Sequence, residues 1–147
     1  MATTISAATL TVTLTEAITL NGYDQGSQNI ATVGSVVEVS KRIVTCPTTE
    51  ITVVSFGAAA SAGTFVDADA RYVRITNLDD TNFVSLNIEG EGSTDFTIRL
   101  DASASVMFMG SLVNFADISG YTLENLTAIK ADADTADCDL EIFVAST

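Results

Sequence analysis

Residues 70–100 read ARYVRITNLDDTNFVSLNIEGEGSTDFTIRL. Three runs in this stretch have period two. Val73 and Ile75 fall on one face of the first, with Tyr72 and Arg74 on the other. In the second run Val84, Leu86 and Ile88 point one way, and in the third Phe96, Ile98 and Leu100 alternate with Thr97 and Arg99. Alternation at period two is the pattern of a half-buried strand. Between the runs lie Asn77-Leu-Asp-Asp-Thr-Asn82 and Glu89-Gly-Glu-Gly-Ser93, built from residues that favour turns. Strands separated by short polar turns predict antiparallel neighbours.

The same pattern extends to both sides. Leu10, Val12 and Leu14 alternate with Thr9, Thr11, Thr13 and Thr15, and Ile18 and Leu20 continue that face beyond Glu16 to an Asn21-Gly22 turn signal. Residues 33–45 read as one strand region, ended by Cys46 and by Pro47, the only proline. Residues 51–56, 105–110, 126–131 and 138–145 supply further strands. Residues 112–125 are less periodic, and Asp117-Ile-Ser-Gly-Tyr121 reads as part of a long surface loop with a short helical turn. Strands recur about every 10–13 residues, without a long helix, a repeat or a linker. The expectation is one all-β domain over residues 1–147: an antiparallel, jelly-roll-like β-sandwich of eight or nine strands. Residues 1–20 are a candidate assembly strand, because an edge strand offers unpaired backbone groups to a neighbour.

Composition removes whole classes of chemistry. The chain has 147 residues, 19 Asp and Glu, 6 Lys and Arg, no His and no Trp, for a net charge of -13. Without His, Ser-His-Asp and Cys-His catalysis and His-ligated zinc or haem are excluded. The cations Lys41, Arg42, Arg71, Arg74, Arg99 and Lys130 form no basic run, so nucleic acid and anionic membranes are disfavoured partners. At 47% hydrophobic the chain is far from a disordered acidic tail. No stretch of 18 apolar residues is present, and the Thr-rich N-terminus lacks a basic, then apolar, signal pattern.

Four positions invite a metal. Asp132, Asp134, Asp137 and Asp139 have the Asp-x-Asp spacing from which a turn can offer oxygens to calcium. The EF-hand Gly and Glu are missing, and alternate Asp residues on a hairpin also simply face water. No other cofactor is implied, and no carboxylate pair stands out as an acid and base, so no enzyme activity is expected. Arg71, Arg74 and Arg99 are candidate interface residues, able to pair with carboxylates across a subunit boundary or across strands. Cys46 and Cys138 are expected to be buried free thiols. Met107-Phe108-Met109 reads as an adaptable contact surface or, more simply, as a strand buried on both faces. Asn125-Leu-Thr127 matches a glycosylation acceptor.

Two segments carry a resemblance. Residues 70–88 and residues 126–147, which end Asp139-Leu-Glu-Ile-Phe-Val-Ala-Ser-Thr147, resemble parts of small structural proteins of marine tailed phages. Those proteins have a similar A-R-Y-x-R-I-T-N strand, an acid-rich turn, and an ending close to D-x-E-x-F-V-A-S. The resemblance covers roughly the second half of the chain. It implies a virion component, made in the host cytoplasm and present in many copies, that acts by adhesion. The expected form is a capsid decoration or cement protein, a dimer or trimer, bound to the major capsid protein on the outer capsid surface. A tail, head-fibre or adaptor component is the alternative within the virion. A carbohydrate- or receptor-binding module using calcium is the alternative outside it.

Overall fold

The computed structural model describes residues 4–92, 95–117 and 122–147. An N-terminal arm comes first, made of β1 (Ala8–Glu16), β2 (Thr19–Leu20), β3 (Tyr23–Asp24) and β4 (Ser27–Val36). The body follows with β5 (Glu38–Cys46), β6 (Ile51–Gly57), β7 (Thr64–Val66), β8 (Ala70–Asn77), β9 (Val84–Gly90), β10 (Asp95–Leu100), β11 (Ser105–Met109), β12 (Asn114–Asp117), β13 (Thr122–Ala133) and β14 (Cys138–Ser146). A 3₁₀ turn spans Asp67–Asp69.

The first sheet of the body has the order β11-β8-β14-β5, and the second runs β10-β9-β13-β6-β7 with β12 paired to β13. The chain crosses from one sheet to the other at almost every connection, while β9 and β10 form a hairpin within the second. Eight long strands wrapped in this order are a jelly roll. The protein is therefore an all-β antiparallel sandwich, as the period-two runs predict. Among the described residues the one parallel pair is β6 with the three-residue β7.

Both sheets turn their aliphatic faces inward. Val73, Ile75, Leu140, Ile142 and Val144 of the first sheet meet Val53, Leu86, Ile88 and Ile129 of the second, all essentially without solvent contact. Phe56 and Phe65 close one end, with ring centroids 6.3 Å apart. A second, smaller cluster lies on the outside of the first sheet. There Val33 and Val36 of the arm cover Tyr72 and Ala145, with Leu10, Val12 and Phe143 packed alongside. Tyr72 and Phe143 meet edge to face at 5.7 Å.

Two expectations about segments need correction. Residues 33–45 are not one strand. β4 ends at Val36, β5 begins at Glu38, and each belongs to a different sheet. Ser35 takes a left-handed φ of 58° here, which redirects the chain, and the Val37 amide donates to the Ser146 carbonyl at 3.0 Å. The expected long loop over residues 112–125 contains a hairpin instead, with Asn114–Asp117 paired to Thr122–Asn125. The helical turn expected near its middle falls on residues 118–121, outside the described residues. Asn125 lies within the paired strand β13, so the glycosylation match does not sit on a loop.

Among the buried polar residues that the structure describes, Asn77 has no solvent contact at all. The Asn77 amide nitrogen donates to the carbonyls of Asn82 (2.9 Å), Leu100 and Asp101 (both 3.3 Å), and its oxygen accepts the Asp79 amide at 3.0 Å. It thereby ties the β8–β9 turn to the β10–β11 turn. Losing such a buried amide leaves several backbone groups unpaired. In urea denaturation Asn77→Ala is expected to cost about 1–3 kcal/mol and Ile75→Ala about 2–5 kcal/mol. The exposed Ile43→Ala on the same sheet should stay within about 0.5 kcal/mol of wild type.

Candidate functional site

The predicted metal ligands do not converge. Asp132 and Asp134 leave the second sheet at the end of β13, while Asp139 begins β14 in the first sheet, and Asp137 stands in the turn between them. The connection spans the gap between two packed sheets, about 10 Å, which separates the carboxylates. All four face solvent, and Asp139 Oδ1 accepts a bond from Thr45 Oγ1 at 2.7 Å. Among the described residues no group of three acidic or thiol side chains is arranged to hold a metal ion.

The three arginines do not form a common patch. Arg71 and Arg74 lie on β8 in the first sheet, whereas Arg99 lies on β10 in the second. Each has partners within the chain. Arg71 Nη1 donates to the Ala68 carbonyl at 2.8 Å. Arg99 Nε pairs with Asp101 Oδ1 at 2.7 Å, and its guanidinium lies over the Phe83 ring at 4.0 Å. Arg74 donates to Thr76 Oγ1 and to Glu141 Oε1.

Glu141 is the hub of the outer face of the first sheet. One oxygen accepts from Arg74, and the other pairs with Lys41 Nζ at 3.0 Å. The Arg74 bond first, and the Lys41 bond next, hold its carboxyl below the ordinary value of 4.5. On the second sheet Lys130 plays the mirrored role, 2.6 Å from Glu89 and 3.6 Å from Glu50. Its hydrogen bond to Glu89 is the main reason its ammonium is held above its usual value.

The cysteines are free, fully buried and directly opposed, Cys46 on β5 facing Cys138 on β14. Burial, reinforced by the neighbouring Cys138 and Asp132, pushes the Cys46 thiol up to about 11, and burial likewise raises Cys138. Their sulfurs lie 3.6 Å from the Pro47 carbonyl and 3.4 Å from the Ala136 carbonyl. A protonated, enclosed thiol is neither a nucleophile nor a metal ligand.

What remains is surface. Within the candidate assembly strand of residues 1–20, β1 pairs with β4 of the same chain from Ala8↔Val36 to Glu16↔Ser27. The far edges of this ribbon have no strand partner among the described residues. At its end Asn21 (φ 53°) and Gly22 (φ 83°) make the expected tight turn between β2 and β3. That tip exposes Ile18 by 55%, Leu20 by 59% and Tyr23 by 73%. Beneath the ribbon lies a cleft of about 280 Å³, lined by Val12, Leu14, Ala31, Tyr72, Met107 and Met109, with Asn29 at its rim. Met107 and Met109 are exposed by 41% and 44%, so β11 is not buried on both faces. It is the edge of its sheet; Val106 and Phe108 pack on the core side, while Met107 and Met109 face outward. The period-two pattern alone does not reveal this cleft, since the ribbon that roofs it is contributed by distant residues.

A scan against protein-family models found no match to the sequence, and a search of curated proteins found none.

Two pH effects follow. Cys46 binds its proton more tightly folded than unfolded, so both states are protonated below its ordinary value of 9.0. Above it the unfolded chain ionises first, and stability should fall as pH rises toward about 11. Urea midpoints across that range test this, and Cys46→Ala should flatten the fall. Glu141 works in the opposite sense. Its stabilisation is present above 4.5 and is lost as pH falls through its lowered folded value. Acid unfolding of Arg74→Met should show a smaller contribution from Glu141 than wild type does.

Proposed function

We propose that this protein is a structural component of a phage virion, a decoration or cement protein bound to the major capsid protein on the outer surface of the head. The observation that carries the reading is the arm. The jelly roll is a complete sandwich without residues 8–36, yet the chain adds a ribbon outside it. That ribbon gives Val33 and Val36 to a small cluster and keeps its remaining large apolar side chains half-buried or exposed. An element that does little for its own domain's core is suited to contacts with other subunits.

Other features support the same reading. Jelly rolls serve widely in viral shells. The ionisable groups of the two outer sheet faces are paired across strands, as in Lys41–Glu141–Arg74 and Glu89–Lys130, which suits flat packing rather than turnover. The resemblance of residues 70–88 and 126–147 to phage structural proteins points the same way. The mechanism is adhesion. A modest contact repeated over a symmetric shell adds many small stabilisations, and each copy need bind only weakly to reinforce the whole.

The test adds purified protein to phage heads that lack it. Cryo-electron microscopy is expected to show density repeated across the capsid lattice, and decorated heads should resist heating better than bare ones. Density confined to the vertex or tail would support the tail, head-fibre or adaptor alternative. Absence of binding to any part of the virion would refute the reading.

A further inference from the structure

The tip of the arm and the cleft beneath the arm are two unfilled halves of one contact. The tip is a built feature. Asn21-Gly22 closes it, the Gln25 amide donates to the Ile18 carbonyl at 2.9 Å, and Ser27 Oγ donates to the Glu16 carboxylate. Gly26 makes the neck possible, since a Cβ there would lie 2.4 Å from the Glu16 carbonyl oxygen. This construction holds Ile18, Leu20 and Tyr23 outward, where no apolar cluster of the chain includes them. Large apolar side chains held rigidly in solvent are the anchors that interfaces use.

The cleft is the complementary half. Its walls are aliphatic and aromatic, and its outer lip is Met107 and Met109, flexible side chains that adapt to what they receive. The chain's own tip does not line it: the ribbon residues that do are Val12, Leu14, Asn29 and Ala31, and none of residues 16–24 is among them.

Charge selects the occupant. Residues 1–36 carry only Glu16 and Asp24, both at the neck of the tip, and no cation. The cleft is flanked by Arg71, which lines the neighbouring hollow beside Gly34 and Met109, and by Arg74, which lines the one beside Val12 and Phe143. Arg74 shares its single carboxylate partner, Glu141, with Lys41. An apolar tip with an acidic neck therefore meets an apolar cleft with basic flanks, and both belong to this chain.

We infer that the tip of one copy inserts Leu20 and Tyr23 into the Met107–Met109 cleft of a second copy. The inference rests on the reading of the chain as an assembly subunit and names the surface by which its copies join. Because each copy offers one tip and one cleft, a closed dimer or ring satisfies every copy.

Sedimentation velocity and native mass spectrometry on the full chain provide the test. Wild type is expected to form a closed oligomer. Leu20→Asp at the tip and Met107→Lys at the cleft should each weaken self-association by about tenfold or more, with unchanged thermal midpoints. Ile43→Ser, exposed elsewhere on the first sheet, should leave the oligomer intact. In case the charged variants disturb folding, Tyr23→Cys and Met107→Cys are made separately and mixed. Oxidation should then join one of each into a crosslinked pair. A monomeric wild type, an oligomer that survives both charged variants, or failure of the mixed cysteines to crosslink would each overturn the inference. The head-binding experiment is independent. An oligomer that never binds heads would remove the virion reading and leave the contact standing, and a monomer that decorates heads would do the reverse.

Discussion

The dry layer between the two sheets governs everything else in this molecule. Ile75, Ile142 and Leu140 from one side and Leu86, Ile88 and Ile129 from the other are packed without water. A strand whose register slips by one residue would turn Arg74 or Glu141 into that layer, where an unpaired charge costs several kcal/mol. Register is therefore dictated by alternation. Every charged residue of these central strands must emerge on an outer face or at a turn. Lys41, Arg74 and Glu141 meet across three adjacent strands for this reason, and so do Glu89 and Lys130 on the opposite side. Asn77, which has no solvent contact, donates its amide to carbonyls that two turns would otherwise leave unsatisfied.

That constraint also explains how much could be read from the sequence. β8, β9 and β10 announce themselves because local alternation is the whole of their signal, and their turns are made of Asn, Asp and Gly. The Asn21-Gly22 turn is equally local. The pairing of β1 with β4 is not, because a Thr-rich alternating strand fits any partner of like pattern. Nor does alternation say which outer face will be covered. Met107 and Tyr72 look alike in sequence, as outward residues of neighbouring strands, yet the arm buries Tyr72 and leaves Met107 half open. The spacing of Asp132 to Asp139 suggested convergence, and only the passage of the chain from sheet to sheet separates the carboxylates. Arg74 and Arg99 share the outward phase of their strands but belong to opposite sheets, which local alternation does not reveal.

The break at Ser35 shows where periodicity fails. Residues 33–45 hold apolar residues at intervals that a single strand could use, and no proline or Asn-Gly marks a boundary. The chain nevertheless turns there, because Val33 and Val36 are needed over Tyr72 and Ala145, outside the sheet that β5 completes. A left-handed Ser is the local cost, of about 1–3 kcal/mol, and the burial of two valines with a tyrosine offsets it. Tertiary packing, rather than any residue of the segment, decides the boundary.

The arm finally bears on the charge that the proposed contact between copies has to overcome. Copies with a net charge of -13 repel one another. At physiological ionic strength that repulsion fades over about 8 Å. The ribbon's only charged side chains, Glu16 and Asp24, sit at the neck of its tip, beyond the part that packs on the body. Such an arm brings apolar side chains to a neighbour while the acidic rims of the two bodies stay apart. The cleft on the body is flanked by Arg71 and Arg74 of β8, which lie nearest the arm. In the proposed contact, separation of the apolar tip from the repulsive body would let copies meet in one orientation while random collisions are turned away.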